Sequence, residues 1–177
     1  MKHVMSPPLR DKHNQSILWK ALAQGEVDTV GTDHCPFDTD QKLLGKDKFT
    51  NIPNGIPGIE DRVNLLYTCG VKCGRIDLDR FVDAASTRAA KLFGLFPRKG
   101  TIAVGSDADL VVYDPNYRGT ISVKSQHVNN DYNAFEGMAI EGRPAVVTVR
   151  GKVQVHEGTF VGERGRGRLL KREPTHF

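Results

Sequence analysis

The chain has 177 residues, of which 38% are apolar, 26% charged and 7% aromatic, the make-up of an ordinary globular protein long enough to bury a core. Its net charge of +4 gathers in Arg164, Arg166, Arg168, Lys171 and Arg172, so the high pI is no argument for nucleic acid. No apolar run approaches the ~18 residues of a membrane span, the opening Met1–Pro8 is not a signal peptide, and the odd set Cys35, Cys69 and Cys73 is a poor disulfide framework. A cytoplasmic protein with no membrane partner is expected.

In chain order, residues 2–5 read as the end of a strand that enters the turn Ser6-Pro7-Pro8-Leu9-Arg10. Ile17, Leu18, Ala21 and Leu22 then recur at helical spacing, which predicts a helix from about Asp11 or Asn14 to Gln24 with Gly25 as its stop. The β-branched run Asp28-Thr29-Val30 predicts a strand leading into Gly31-Thr32-Asp33-His34-Cys35-Pro36-Phe37. Strand, helix and strand in that order make a βαβ unit with parallel strands. Asp33 then stands at the C-terminal end of a strand, the edge where α/β proteins bind ligands. Taken alone, a Thr-Asp pair after a strand is more often a turn or a helix cap.

Residues 36–59 are polar and rich in Gly and Pro, and read as a long loop, either functional or plain surface. Helices are predicted over 59–67, with Val63 and Leu66 inward, and over 78–85, capped by Asp77, with Leu78, Phe81, Val82 and Ala85 inward. A shorter one runs from Arg88 to Phe93 and stops at Gly94. From Gly100 the pattern turns to β-runs: Thr101–Val104, Leu110–Tyr113, Val146–Val149 and Lys152–Val155. Arg150-Gly151 is a two-residue hairpin connection, although Arg suits its left-handed position poorly. A boundary is placed near residue 98.

The residues also bound the chemistry. A single carboxylate at a strand end can bind a cation or act as a general base, whereas a catalytic zinc site needs about three protein ligands. His34, the next residue on the strand, would point to the other face. Cys69 and Cys73 could share a helix face, but read more simply as buried free thiols. No His-x-His, His-Glu-x-x-His, phosphate loop or Gly-x-Ser-x-Gly elbow occurs, so the chain holds no complete active site.

Several stretches carry a resemblance. Ser6–Arg10, Thr32–Phe37, Gly45-Lys46-Asp47 with Phe49-Thr50, Ile52–Gly55, Pro97–Gly100 leading into Gly105–Leu110, and Tyr132–Met138 together resemble the C-terminal part of the dihydropyrimidinase, or D-hydantoinase, family of amidohydrolases. The resemblance covers essentially the whole chain in order. It implies an α/β fold made of the last two units of a (β/α)8 barrel over 1–97, the C-terminal part of a small β-sandwich over 98–160, and a basic tail over 161–177. A full barrel takes ~250 residues, so the chain is expected to be a fragment.

The same resemblance implies a reaction. Two zinc ions per active site activate a water that attacks the ring amide of a dihydropyrimidine or hydantoin, giving an N-carbamoyl amino acid. Asp33 matches the family's metal-binding aspartate, which also takes the water's proton and passes it to the leaving ring nitrogen. Ser6 and Asn54 match the positions whose main-chain groups bind the cyclic ureide or imide. The remaining metal ligands are absent from this chain, which alone is expected to be inactive. His34 and Cys35 are left as supporting or packing residues, and the full-length protein is expected to be a homotetramer.

Three further readings stand beside it. The non-enzymatic collapsin response mediator proteins share this region but lack an acid at the position of Asp33 and alter that of Asn54, both of which this sequence keeps. Allantoinase and dihydroorotase differ mostly in loops outside this region. Nucleic-acid binding by the Gly-Arg tail would call for interleaved aromatics; there are none from Gly162 to Pro174, and no nucleic-acid partner is expected.

Overall fold

The structure is a computed structural model that describes residues 1–175. Among these, helices α1 (Asn14–Gln24), α2 (Thr39–Leu43), α3 (Arg62–Leu66), α4 (Leu78–Val82) and α5 (Arg88–Leu92) precede strands β1 (Val111–Thr120), β2 (Ala139–Val149), β3 (Lys152–His156) and β4 (Thr159–Phe160). The chain is thus α/β, with its strands in one antiparallel sheet of order β1-β2-β3-β4. No helix among the described residues is long and apolar enough to cross a membrane.

The first helix stops where its glycine dictates. Gly25 turns left-handed at φ 79° and caps α1 through the Ala21 and Leu22 carbonyls, a backbone state that glycine adopts at no steric cost. Asp77 starts α4 as expected, its carboxylate accepting from the Arg80 N–H at 2.7 Å. The later helices depart from the pattern. α3 begins after Asp61 and runs on as a π-helical turn, Tyr67–Lys72, while a second π turn, Asp83–Thr87, joins α4 to α5 without a break. A π turn rotates the apolar stripe off simple helical spacing. Phe81 and Ala84 are buried, whereas Leu78 and Val82, expected on the same inward face, are 57% and 52% exposed.

Three expected strands do not form, because a strand exists only through a hydrogen-bonded neighbour. Residues 2–5, Asp28–Val30 and Thr101–Val104 have no sheet partner among the described residues, so the predicted parallel βαβ pairing is absent. Arginine side chains take the carbonyls around Asp28–Val30 instead: Arg62 donates to the Val30 carbonyl at 3.0 Å, and Arg80 to those of Leu22 and Val27. Ile102 and Val104 project into solvent, 86% and 108% exposed.

The core lies where helices meet sheet. Leu22, Leu66, Tyr67, Ile76, Phe81 and Ala84 are buried together, with Trp19, Val30, Val63 and Tyr113 packed on them. Tyr113 of β1 joins the two halves, its ring centroid 4.7 Å from Tyr67 and 6.0 Å from Phe81, within the range of favourable aromatic pairs. Such closeness requires Gly142 opposite, since a Cβ there would come within 2.6 Å of the Tyr113 ring and 2.7 Å of Tyr67. Thr68 adds a reciprocal bond, its hydroxyl donating to the Glu141 carbonyl and accepting from the Glu141 N–H, both at 3.0 Å.

The β2–β3 hairpin turns through Arg150 at φ 47° and Gly151 at φ 76°, the two positive angles a two-residue connection demands. Arginine is held there because its N–H donates to the Asp109 carboxylate at 2.7 Å. The basic tail returns to its own chain: Arg150 donates to the Arg166 carbonyl, and the Glu173 N–H to the Gly94 carbonyl at 2.9 Å.

Asp109 belongs to a clasp over the crossing from helices to sheet, in which Lys99 bridges it to Asp107. The Lys99 hydrogen bond holds the Asp107 carboxyl below the ordinary 3.8, with Arg98 adding to the effect. Burial works against the ionised form of Asp109, and the bonds from Lys99 and the Arg150 N–H outweigh it, so this carboxyl too lies below the ordinary value. Because both folded values are depressed, the clasp stabilises fully above the unfolded carboxylate range and weakens as pH falls through it. Hydrogen-exchange protection of the Asp107 amide should therefore hold at neutral pH and drop as the solution is acidified through 3.8. Protection unchanged down to a pH of about 2 would show that the clasp contributes nothing.

Candidate active site

Asp33 sits in an irregular stretch rather than at a strand end, exposed, with a left-handed backbone at φ 45°. A non-glycine residue rarely adopts that conformation, and persists in it only when its surroundings fix it. The next two residues do the fixing. His34 turns its ring inward, Nδ1 accepting from the Gly58 N–H at 3.2 Å, so this nitrogen is the unprotonated one. The Cys35 backbone lies against Gly55, where an added Cβ would fall 2.2 Å from the Cys35 carbonyl oxygen. His34 and Cys35 thus tie the Asp33 stretch to the loop bearing Asn54.

The Ser6 and Asn54 stretches are tied to each other. The Gly55 N–H donates to the Val4 carbonyl at 3.1 Å, and beneath that bond lies Lys42. This side chain, on α2, is fully buried at 0% exposure. Its ammonium donates to the carbonyls of Val4 at 2.9 Å, Pro53 at 2.6 Å and Gly55 at 2.6 Å, with the Phe37 ring 5.3 Å away. Burial pushes the ammonium below its ordinary range, with Cys35 acting the other way. The three carbonyls nevertheless match the three N–H donors that only the charged form has. Ser6 and Asn54 themselves are exposed, and none of the described residues takes a backbone hydrogen bond from or to either.

Both α2 and Lys42 lie in the stretch read from sequence as loop. The signal was there, since Gln41 accepts from the Asp38 N–H at 2.7 Å, half of a capping box. Nothing in the sequence marks Lys42 as buried.

The long β1–β2 connection closes over the same region. Glu60 accepts from the His127 and Val128 N–H groups at 2.8 and 2.7 Å. The Asp61 carboxyl, pushed up by burial, accepts from Gln126 at 2.6 Å and Asn133 at 2.7 Å. Asp131 accepts from the Thr39 N–H at 2.9 Å, and the Tyr132 hydroxyl donates to the Lys2 carbonyl at 3.1 Å. Asp131 thereby braces the first turn of α2, and Tyr132 the N-terminal stretch.

Among the described residues no three His, Cys, Asp or Glu side chains lie close enough to hold a metal ion. Asp33 offers one exposed carboxylate, a donor that suits zinc as one ligand of several. Cys69 and Cys73 are free thiols, but Cys73 is exposed and Cys69 only partly covered, so the expected burial fails; burial raises the Cys69 thiol, and Cys73 adds to the shift.

Comparison with known proteins matches residues 3–154 to the amidohydrolase family. The chain belongs to that family. It is 55% identical over 172 residues to a D-hydantoinase of Geobacillus stearothermophilus, covering 97% of this chain and 36% of that protein. With a dihydropyrimidinase of Rattus norvegicus it shares 49% identity over 173 residues, covering 97% of this chain and 33% of the relative. The solved D-hydantoinase (dihydropyrimidinase) of Thermus sp. superposes with a TM-score of 0.96 at 79% identity, over 99% of this chain and 38% of that one. The chain thus spans little more than a third of the length of these relatives.

Gly55 is where the three stretches press closest, at φ 147° and with no room for a Cβ. Gly55→Ala is expected to destabilise the protein by about 1–3 kcal/mol through backbone strain alone, and by more once the Cys35 contact is counted. Denaturant titration checks this. A change below about 0.5 kcal/mol would mean the loop yields freely.

Proposed function

We propose that this chain is the C-terminal part of a binuclear-zinc cyclic amidohydrolase that opens dihydropyrimidine or hydantoin rings to N-carbamoyl amino acids. In this reading residues 1–97 complete the last two units of a (β/α)8 barrel, and residues 98–160 form part of a β-sandwich. The observation that carries it is the convergence of the Asp33, Ser6 and Asn54 stretches on one another through Gly55, Val4 and Cys35. The identity to D-hydantoinase and dihydropyrimidinase along 97% of the chain supports it.

Ser6 and Asn54 present main-chain N–H and C=O groups that no described residue occupies, and a cyclic ureide or imide carries the complementary alternation. Zinc, held by Asp33 with ligands outside this chain, would supply a water acidic enough to attack at neutral pH. Asp33 accepts the proton of that water as its oxygen bonds to the ring carbonyl carbon, then delivers it to the ring nitrogen as the C–N bond breaks.

In the full-length protein, Asp33→Asn should lower turnover of dihydrouracil or hydantoin by at least ~10²-fold while the fold persists. Activity within about threefold of the parent would rule out the assigned role. The complete enzyme is proposed to be a homotetramer to which the basic tail contributes, since a glycine-rich charged stretch adds contacts across a symmetric interface without a core of its own. Deleting residues 163–177 should shift assembly toward dimers or monomers in sedimentation at several concentrations. An unchanged tetramer would leave the tail as an idle terminus.

A further inference from the structure

Lys42 has an unusual set of partners. A lysine is almost never fully buried unless a carboxylate pairs with it, and here all three contacts are neutral carbonyls. Desolvating an ammonium is costly, and a well-packed apolar side chain in such a place is often no worse for stability. The position of the acceptors is the informative feature. Pro53 and Gly55 flank Asn54 on either side, and Val4 stands two residues before Ser6.

We propose that Lys42 is a positioning residue for ring recognition, its buried ammonium fixing the Ser6 and Asn54 main chains at the separation and orientation the cyclic substrate requires. This rests on the reaction proposed above and adds to it a specific determinant of substrate binding. Two physical effects converge. Three bonds from one charged centre to two chain stretches leave those stretches one relative placement, and a misplacement of about 1 Å in a binding constellation can cost as much as 10²-fold. In addition, the Pro53 carbonyl and the Asn54 N–H belong to the same peptide group. A cation on that oxygen draws electron density from the amide, which makes the Asn54 N–H a stronger donor to a ring carbonyl, as in hydrogen-bond chains that polarise one another. The Phe37 ring at 5.3 Å is a further favourable neighbour for the charge.

The test is steady-state kinetics of the full-length enzyme with dihydrouracil and hydantoin, together with zinc content and thermal midpoint. Lys42→Met keeps the length of the side chain and removes charge and donors. It should retain bound zinc and raise KM by about tenfold or more, with kcat within about threefold of the parent, because binding is lost while Asp33 is untouched. Lys42→Gln, which restores two N–H donors without the charge, should fall between, and it carries the test should Lys42→Met fail to fold. A KM within about twofold of the parent in a folded variant would overturn the role. Loss of zinc and kcat at unchanged KM would overturn it as well, leaving Lys42 a purely structural residue. Should neither variant fold, Lys42 would be required for the fold and the positioning role would likewise fall. A parent inactive on both rings would overturn the amidohydrolase reading and this role together, whereas an active parent with indifferent variants would overturn this role alone.

Discussion

One buried cation binds together the two stretches that carry Ser6 and Asn54. Taking the Lys42 ammonium out of water costs several kcal/mol even after relaxation, and the three carbonyls of Val4, Pro53 and Gly55 offset that cost only if all three stay in place. A neutral amine has two N–H groups, so loss of the proton would orphan one carbonyl. The cation needs the carbonyls, and two stretches 38 and 11 residues away in sequence, already joined by the Gly55 N–H bond to the Val4 carbonyl, are held further by the cation. A hydrophobic contact, being non-directional, could bring these stretches together but could not orient them.

The second constraint links this cluster to the sheet. Tyr113 packs tilted against Tyr67 and edge-on to Phe81 at one end of the interface, while Glu60 and Asp61 bind the backbone and amides of the β1–β2 connection at the other. Between them, these contacts support a connection whose Asp131 bonds the first turn of α2 and whose Tyr132 bonds the N-terminal stretch. The sheet thus acts on the site through its connecting loop. On its own strands Val111, Val112 and Val153 remain exposed.

What could be read from sequence divides along the same physical lines. Local signals were legible: the 3.6-residue spacing of α1, its glycine stop, the Asp77 cap and the Arg150-Gly151 hairpin all depend on neighbours a few residues away. The π turns were not, because they preserve a helical look; Leu78 and Val82 lie in α4 ahead of the second of them and are exposed in this chain. The runs 28–30 and 101–104 have strand composition, but a strand also needs a partner, which composition cannot supply. Asp33, Ser6 and Asn54 were legible only through family resemblance, since no local pattern sets an exposed Ser or Asn apart. Lys42 was invisible for the opposite reason. Its character comes from three carbonyls gathered by the fold, and a lysine in a polar, glycine-rich stretch reads as surface.

Recognition by main chain has a consequence for where sequence constraint falls. If the ring is bound by the backbone of Ser6 and Asn54, their side chains are free to vary in chemistry so long as the φ and ψ of the loop are kept. The demands then move one position outward. Gly55 admits no side chain because the Cys35 carbonyl occupies that space, and His34 must present an unprotonated Nδ1 to Gly58. Lys42 must span from α2 to three carbonyls at once. The specificity of such a site resides less in the residues that touch the ligand than in those holding the touching atoms still, which is the general condition for preorganised binding.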